Sequence, residues 1–173
     1  MCKVTEEIFQ KNLEIGRAER AKNNKWLNSK YEEVKTWDNT DKGNLGERHT
    51  SDMLNTLDYV STIINRGIGT FDILLEASKA TVKIEHKLAT EDTHGSFQFN
   101  GIKKYIDYDY VFCMGISPND LCFTIISRKE AQARLTTLMS SGVKGVYKYS
   151  VPKKRMMEYT QEKFKEEIEK IVK

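Results

Sequence analysis

The sequence predicts an α/β domain, with helices at both ends and a central sheet of about five strands between them. Three observations carry this reading. Apolar residues recur at helical spacing near both ends of the chain. From Tyr59 to Ser127 the pattern changes to β-branched runs and alternation. The length, 173 residues, suits one domain with a single hydrophobic core.

Taken in order, Val4, Ile8 and Ile15 line one stripe of a first helix, and Phe9 and Leu13 the next. Asn23-Asn24 interrupts it before a second helical stretch over 26–37. Residues 41–44 offer turn and cap chemistry for a helix over about 45–57, with Met53, Leu54 and Leu57 on its apolar side. Residues 59–65 read as a strand, 66–69 as a turn or bend, and 71–75 as a second strand. Along 81–87, Val82 and Ile84 face one side while Thr81, Lys83, Glu85 and Lys87 face the other. A loop over 88–95 then leads into an expected helix, 96–106, with Phe97, Ile102, Tyr105 and Ile106 available for packing. Residues 110–115 and 121–127 suit a buried strand pair. An amphipathic helix over 128–139 presents Ala131, Leu135, Leu138 and Met139, and Met157, Phe164, Ile168 and Ile171 mark a final helix within 153–173.

Composition narrows the function classes. The longest apolar run falls far short of the roughly 20 residues of a membrane span, and residues 1–10 lack a leader's apolar stretch. The expectation is a cytoplasmic protein with no membrane partner. Cys2, Cys113 and Cys122 are odd in number and have no metal-ligand spacing, so they are expected to be reduced. His49, His86 and His94 lack the pair spacing of a zinc site, Gly67-Ile68-Gly69 is too short for a dinucleotide fingerprint, and no phosphate-cradling loop ends in Gly-Lys-Ser/Thr. The net charge of +3 conceals an uneven distribution: residues 41–127 carry net −4, and residues 128–155 carry 8 basic side chains against Glu130 alone. Such a basic cluster attracts polyanions, nucleic acid most commonly. Charge alone equally suits a solvated patch.

The chemistry concentrates in Gly69-Thr70-Phe71-Asp72-Ile73 and Val82-Lys83-Ile84-Glu85-His86-Lys87. Glu85 and Lys87 are two apart on one strand and share a face. A hairpin can set Asp72 beside Glu85, giving two hard oxygen ligands suited to Mg²⁺. Lys87 beside them can position or help deprotonate an attacking water and neutralise a phosphate. Taken singly, Asp72 also fits a turn cap and Glu85/Lys87 an ordinary exposed strand face.

Asp72 followed by Glu85-His86-Lys87 resembles the Asp…Glu-x-Lys signature of the PD-(D/E)XK, or restriction-endonuclease-like, nucleases, with Phe71 where the motif name has Pro. The resemblance covers about residues 44–127, leaving a helical flank over 1–40, the basic segment over 128–155 and the C-terminal helix outside it. It implies a single-domain fold with a central mixed sheet flanked by helices. It also implies Glu47 as an acidic member on the preceding helix, and a Gln, here Gln98, on the helix after the lysine strand. Asn44 with Glu47 also fits a capping box, and Gln98 also fits a plain surface residue. The backbone carbonyl of His86 would complete the metal shell. His94, Ser96, Asn100, Lys103, Lys104, Arg128, Lys144 and Lys148 are candidates for contacting DNA. Activity is expected to be Mg²⁺-dependent hydrolysis of double-stranded DNA, with Mn²⁺ as a substitute, by a small type II restriction enzyme. It would act as a homodimer joined through its terminal helices, and a cognate methyltransferase acting on the same site is a candidate partner. A junction resolvase, a repair or phage nuclease and a non-catalytic DNA-binding or protein-interaction module are the alternatives on the same core.

Overall fold

The computed structural model describes residues 3–64, 71–103, 106–134, 136–137 and 146–173. Three helices come first: α1 (Lys3–Asn23), α2 (Glu32–Thr36) and α3 (Asn39–Asn55). Six strands follow: β1 (Val60–Ile63), β2 (Ile73–Glu76), β3 (Thr81–Thr90), β4 (Ser96–Lys103), β5 (Tyr110–Ile116) and β6 (Leu121–Ser127). Then come α4 (Arg128–Arg134), β7 (Thr136–Thr137), β8 (Val146–Pro152), a 3₁₀ turn over Lys153–Arg155, β9 (Met157–Glu158) and α5 (Gln161–Ile171).

Among the described residues the strands form two sheets rather than one of about five. The main sheet runs β1-β2-β3-β5-β6-β9 and is antiparallel except for the parallel β3/β5 pair. A smaller antiparallel sheet runs β4-β8-β7. The main sheet buries both faces, so β5 reads as a continuous apolar run rather than an alternating one. One face packs Ile73, Leu75, Ile84, Phe112 and Phe123 against Leu54 of α3 and Phe164 and Ile168 of α5. The other packs Val111, Cys113, Cys122 and Ile126 against Phe97, Phe99, Tyr149 and Val151 of the small sheet and Ala131 of α4. Cys113 and Cys122 are buried and free, as core residues in strands.

Several elements depart from the sequence reading. Residues 96–103 are strand, not helix. Phe97, Phe99 and Ile102 are fully buried while Gln98, Asn100 and Lys103 are exposed, and this two-residue alternation is satisfied by pairing with β8. That partner lies about fifty residues away, where no local pattern reveals it. Helix α3 starts at Asn39, with the Asp38 side chain accepting from the Asp41 N–H at 2.8 Å. Asn44 therefore lies inside the helix, and the capping box with Glu47 does not form. Of 26–37 only α2 is helical, and the rest is turns. Helix α4 covers Arg128–Arg134 and Thr136–Thr137 are strand, while Leu135, Leu138 and Met139 of the expected helix lie outside the described residues; the C-terminal helix begins at Gln161 with Thr160 as its cap rather than at 153. The turn expected over 66–69 lies outside the described residues. Among those residues no helix is long and apolar enough to cross a membrane.

Candidate active site on β3

Strand β2 pairs with β3 only as far as Ile73 opposite Ile84, whereas β3 continues to Thr90 alongside β5. Beyond that last pair the β2-side edge of β3 presents backbone groups that must find other partners. Asp72 supplies one. Its own N–H donates to the Ile84 carbonyl at 3.0 Å, which pins it one step past the ladder and opposite Glu85. Its Oδ2 accepts from the His86 N–H at 2.8 Å. Lys87 supplies the other, its Nζ donating to the His86 carbonyl at 2.9 Å.

The same Nζ lies 2.6 Å from Glu85 Oε1 and 3.4 Å from Asp72 Oδ2. One ammonium thus sits among three oxygens, two from carboxylates and one from the backbone. Burial lifts the Glu85 carboxyl above the usual range; Lys87 opposes the shift and Asp72 adds to it. Burial by itself would lower the Lys87 ammonium, but Glu85 and Asp72 outweigh it and hold Lys87 above the ordinary lysine value.

The His86 ring points to the opposite face, as its position in the strand requires. Its Nε2 lies 3.1 Å from Thr50 Oγ1 on α3, and the ring stacks on Phe112 with centroids 5.5 Å apart. Burial, with Lys87 and His49 adding, depresses it to about 3, so the ring is neutral at physiological pH. Gly46 makes this packing possible: a Cβ there would collide with His86 Cε1 and stand 3.0 Å from Leu88 Cδ1. Gly46 and Thr50 therefore seat α3 on β3 behind the site. A glycine interrupting a helical pattern was the available signal for the first; nothing in the sequence marks the second.

In front of the site lies a cleft of about 650 Å³ whose walls include Glu47 of α3, Asp72, Lys87, and Gln98 and Asn100 of β4. Glu47 shares the cleft, yet among the described residues no three His, Cys, Asp or Glu side chains converge as a metal cage. The oxygens that do converge are those of Asp72, Glu85 and the His86 carbonyl. Gln98 reaches the cleft from a strand rather than from the expected helix. Lys103 lies near enough for Glu85 to feel its charge. Lys148 stands opposite Asn100 in the small sheet.

Other expected DNA contacts fall elsewhere. His94 and Ser96 line a separate cavity of about 890 Å³ with Glu91, Asp120 and Lys153. Their N–H groups donate to Asp92 Oδ1, which organises the loop. Arg128 lies over the Tyr108 ring and 3.9 Å from Asp107, facing another surface. The basic segment is thus divided among α4, the small sheet and the 3₁₀ turn, and its Lys153 is paired with Asp120 at 2.6 Å. Lys104 and Lys144 lie outside the described residues.

Fold and site together define a mixed α/β scaffold with two carboxylates and a lysine at a central strand, past its last pair with β2. Its fold is similar to that of a bacterial homing endonuclease, I-Ssp6803I, with a TM-score of 0.51 over 78% of this chain and 91% of that one. The two sequences are 10% identical, so the likeness is one of fold. No family model matches the sequence, and no curated protein matches it.

Proposed function

We propose that the protein is a metal-dependent endonuclease that hydrolyses phosphodiester bonds in double-stranded DNA, with a PD-(D/E)XK active site. The observation that carries this is the convergence of Asp72, Glu85 and the His86 carbonyl on the single position taken by Lys87 Nζ. Three oxygens around a cation fit Mg²⁺, which takes oxygen ligands and typically binds through one or two carboxylates with waters and substrate phosphates for the rest. Mn²⁺ suits the same donors. When bound, the metal supplies Lewis-acid stabilisation of phosphate charge and a more acidic water. Asp72 and Glu85 would hold it, and the His86 carbonyl would complete the donors from the backbone. Lys87 would position the attacking water and face the phosphate, while Glu47 and Gln98, which line the same cleft, would orient what enters. The neutral, buried His86 ring and Gly46 fix the strand that carries Glu85, the His86 carbonyl and Lys87.

The finer reading is a sequence-specific type II restriction activity. Two copies of this candidate site, related as a C₂ homodimer, would cut both strands. Helix α1 supports the dimer, because Ile8, Phe9 and Ile15 remain 56%, 64% and 48% exposed along it. The fold shared with a homing endonuclease favours a second reading, in which the chain is an endonuclease of that kind rather than a restriction enzyme. Incubation with mixed plasmid and phage DNA, with Mg²⁺ or with chelator, tests the proposal. Discrete fragments that require metal and vanish in Asp72→Ala and Lys87→Ala support it, and fragment lengths separate a short site from a long one. No cleavage with any divalent metal contradicts it.

A further inference from the structure

We propose that the outward face of the small sheet, built from β4 and β8, reads base edges in the major groove of duplex DNA; this rests on the nuclease reading above. The alternation of β4 gives that face its character. Phe97, Phe99 and Ile102 point into the core, leaving Gln98 and Asn100 outward and exposed. Their cross-strand neighbours are Ser150 and Lys148 respectively. The polar row is thus two strands wide, and it opens into the cleft that holds Asp72 and Lys87.

Three features fit recognition better than a solvated surface. First, the Gln98 and Asn100 amides make no hydrogen bond among the described residues, although other polar side chains along the same cleft, such as Asp92 and Thr90, are engaged. Each amide keeps both a donor and an acceptor, the pair needed for bidentate contact with the N6 and N7 atoms of adenine. Second, residues two apart on a strand are separated by about 6.6 Å, and two base-pair steps of B-DNA span about 6.8 Å. Gln98 and Asn100 can therefore address base pairs two steps apart without bending either partner. Third, the strand bulges at Gly101, where the register shifts between Asn100 and Ile102 and φ is +80°. The extra residue returns Ile102 to the core and turns Lys103 outward, extending the polar row with a cation.

In this arrangement Gln98 and Asn100 set specificity, while Lys103 holds the backbone and carries little sequence information. The test is selection from a randomised duplex library by the full chain in Ca²⁺, comparing wild type with Gln98→Ala, Asn100→Ala and Lys103→Ala. Wild type is expected to enrich a motif with an adenine preference at two positions separated by one base pair. Each amide variant should lose one of them, a loss of about 5- to 150-fold in discrimination. Lys103→Ala should keep the motif and weaken all sequences with a shallower salt dependence. All three positions carry exposed side chains, and circular dichroism is used to check that each variant folds. An unchanged motif in both amide variants, or no motif in wild type, overturns the inference. If DNA is cut but the motif does not move, base reading fails and the nuclease reading stands. If the motif moves but no metal supports cleavage, base reading stands and the nuclease reading fails.

Discussion

Replacing Lys87 by alanine removes the cation around which three oxygens are gathered, and the outcome should depend on what replaces it. At 2.6 Å and an effective dielectric constant of about 20, the Lys87–Glu85 attraction is about 6 kcal/mol before desolvation is counted. Breaking a buried pair by deleting one partner costs about 3–5 kcal/mol net. Lys87 and Asp72 keep 20% and 24% of their side-chain exposure, which places the loss at the lower end, about 3 kcal/mol. The sign with pH is fixed by Glu85. Its folded value is raised, so its contribution to stability is full below the unfolded carboxylate range and disappears as pH rises through the folded value. Without Lys87 the shift grows, and Lys87→Ala should fall further behind wild type as the solution is made neutral. Divalent cation should reverse the defect, because its competitor for the oxygens is gone; at 100 times Kd the gain is about 2.7 kcal/mol. Urea unfolding of both proteins, in chelator and in Mg²⁺ or Mn²⁺, measures this directly. A variant as stable as wild type in chelator, or one that metal does not stabilise, would refute the reasoning.

Further outcomes follow from the surroundings of the site. Gly46→Ala should force α3 away from His86 and cost about 1–3 kcal/mol, seen as a lower Tm together with reduced cleavage. The depressed His86 contributes stability above about pH 6.5 that is lost as pH falls toward about 3, with a slope of up to about 1.4 kcal/mol per pH unit. Between pH 7 and pH 5 the urea midpoint of wild type should fall relative to that of His86→Gln, because the opposing contribution of the raised Glu85 is present in both proteins. Phe9→Glu with Ile15→Glu on α1 should weaken self-association by about tenfold or more, about 1.4 kcal/mol, in sedimentation equilibrium while leaving α5 and the core intact.

The site was legible in the sequence because its geometry is local. Asp72, Glu85 and Lys87 lie on adjoining segments of one hairpin, and strand periodicity alone puts Glu85 and Lys87 on one face. Strands β5 and β6 were legible for a similar reason, as apolar runs bounded by Pro118 and Asp120. What escaped depends on distant pairing. The 96–103 segment has enough aromatic spacing to suit a helix until β8 supplies the partner that makes it a strand. Helix α3 begins earlier than expected because Asp38, not a residue of 41–44, accepts the free N–H. The basic segment is one run along the chain, whereas the fold sends Arg128, Lys148 and Lys153 to three different surfaces. Glu47 reaches the right cleft, but its distance from the other carboxylates was not something that spacing in sequence fixes.

Whether Asp72, Glu85 and Lys87 form one metal-dependent hydrolytic site is tested most directly by single-turnover cleavage of plasmid DNA. With Mg²⁺ or chelator, wild type is compared with Asp72→Asn, Glu85→Gln and Lys87→Ala in parallel. Wild type should cut only with metal, and Lys87→Ala should be slower by on the order of 10² to 10⁴. The two carboxamide variants should be at least as impaired, with all three still folded. Cutting that persists in chelator, or folded variants that cut at the wild-type rate, would contradict a shared metal-dependent site.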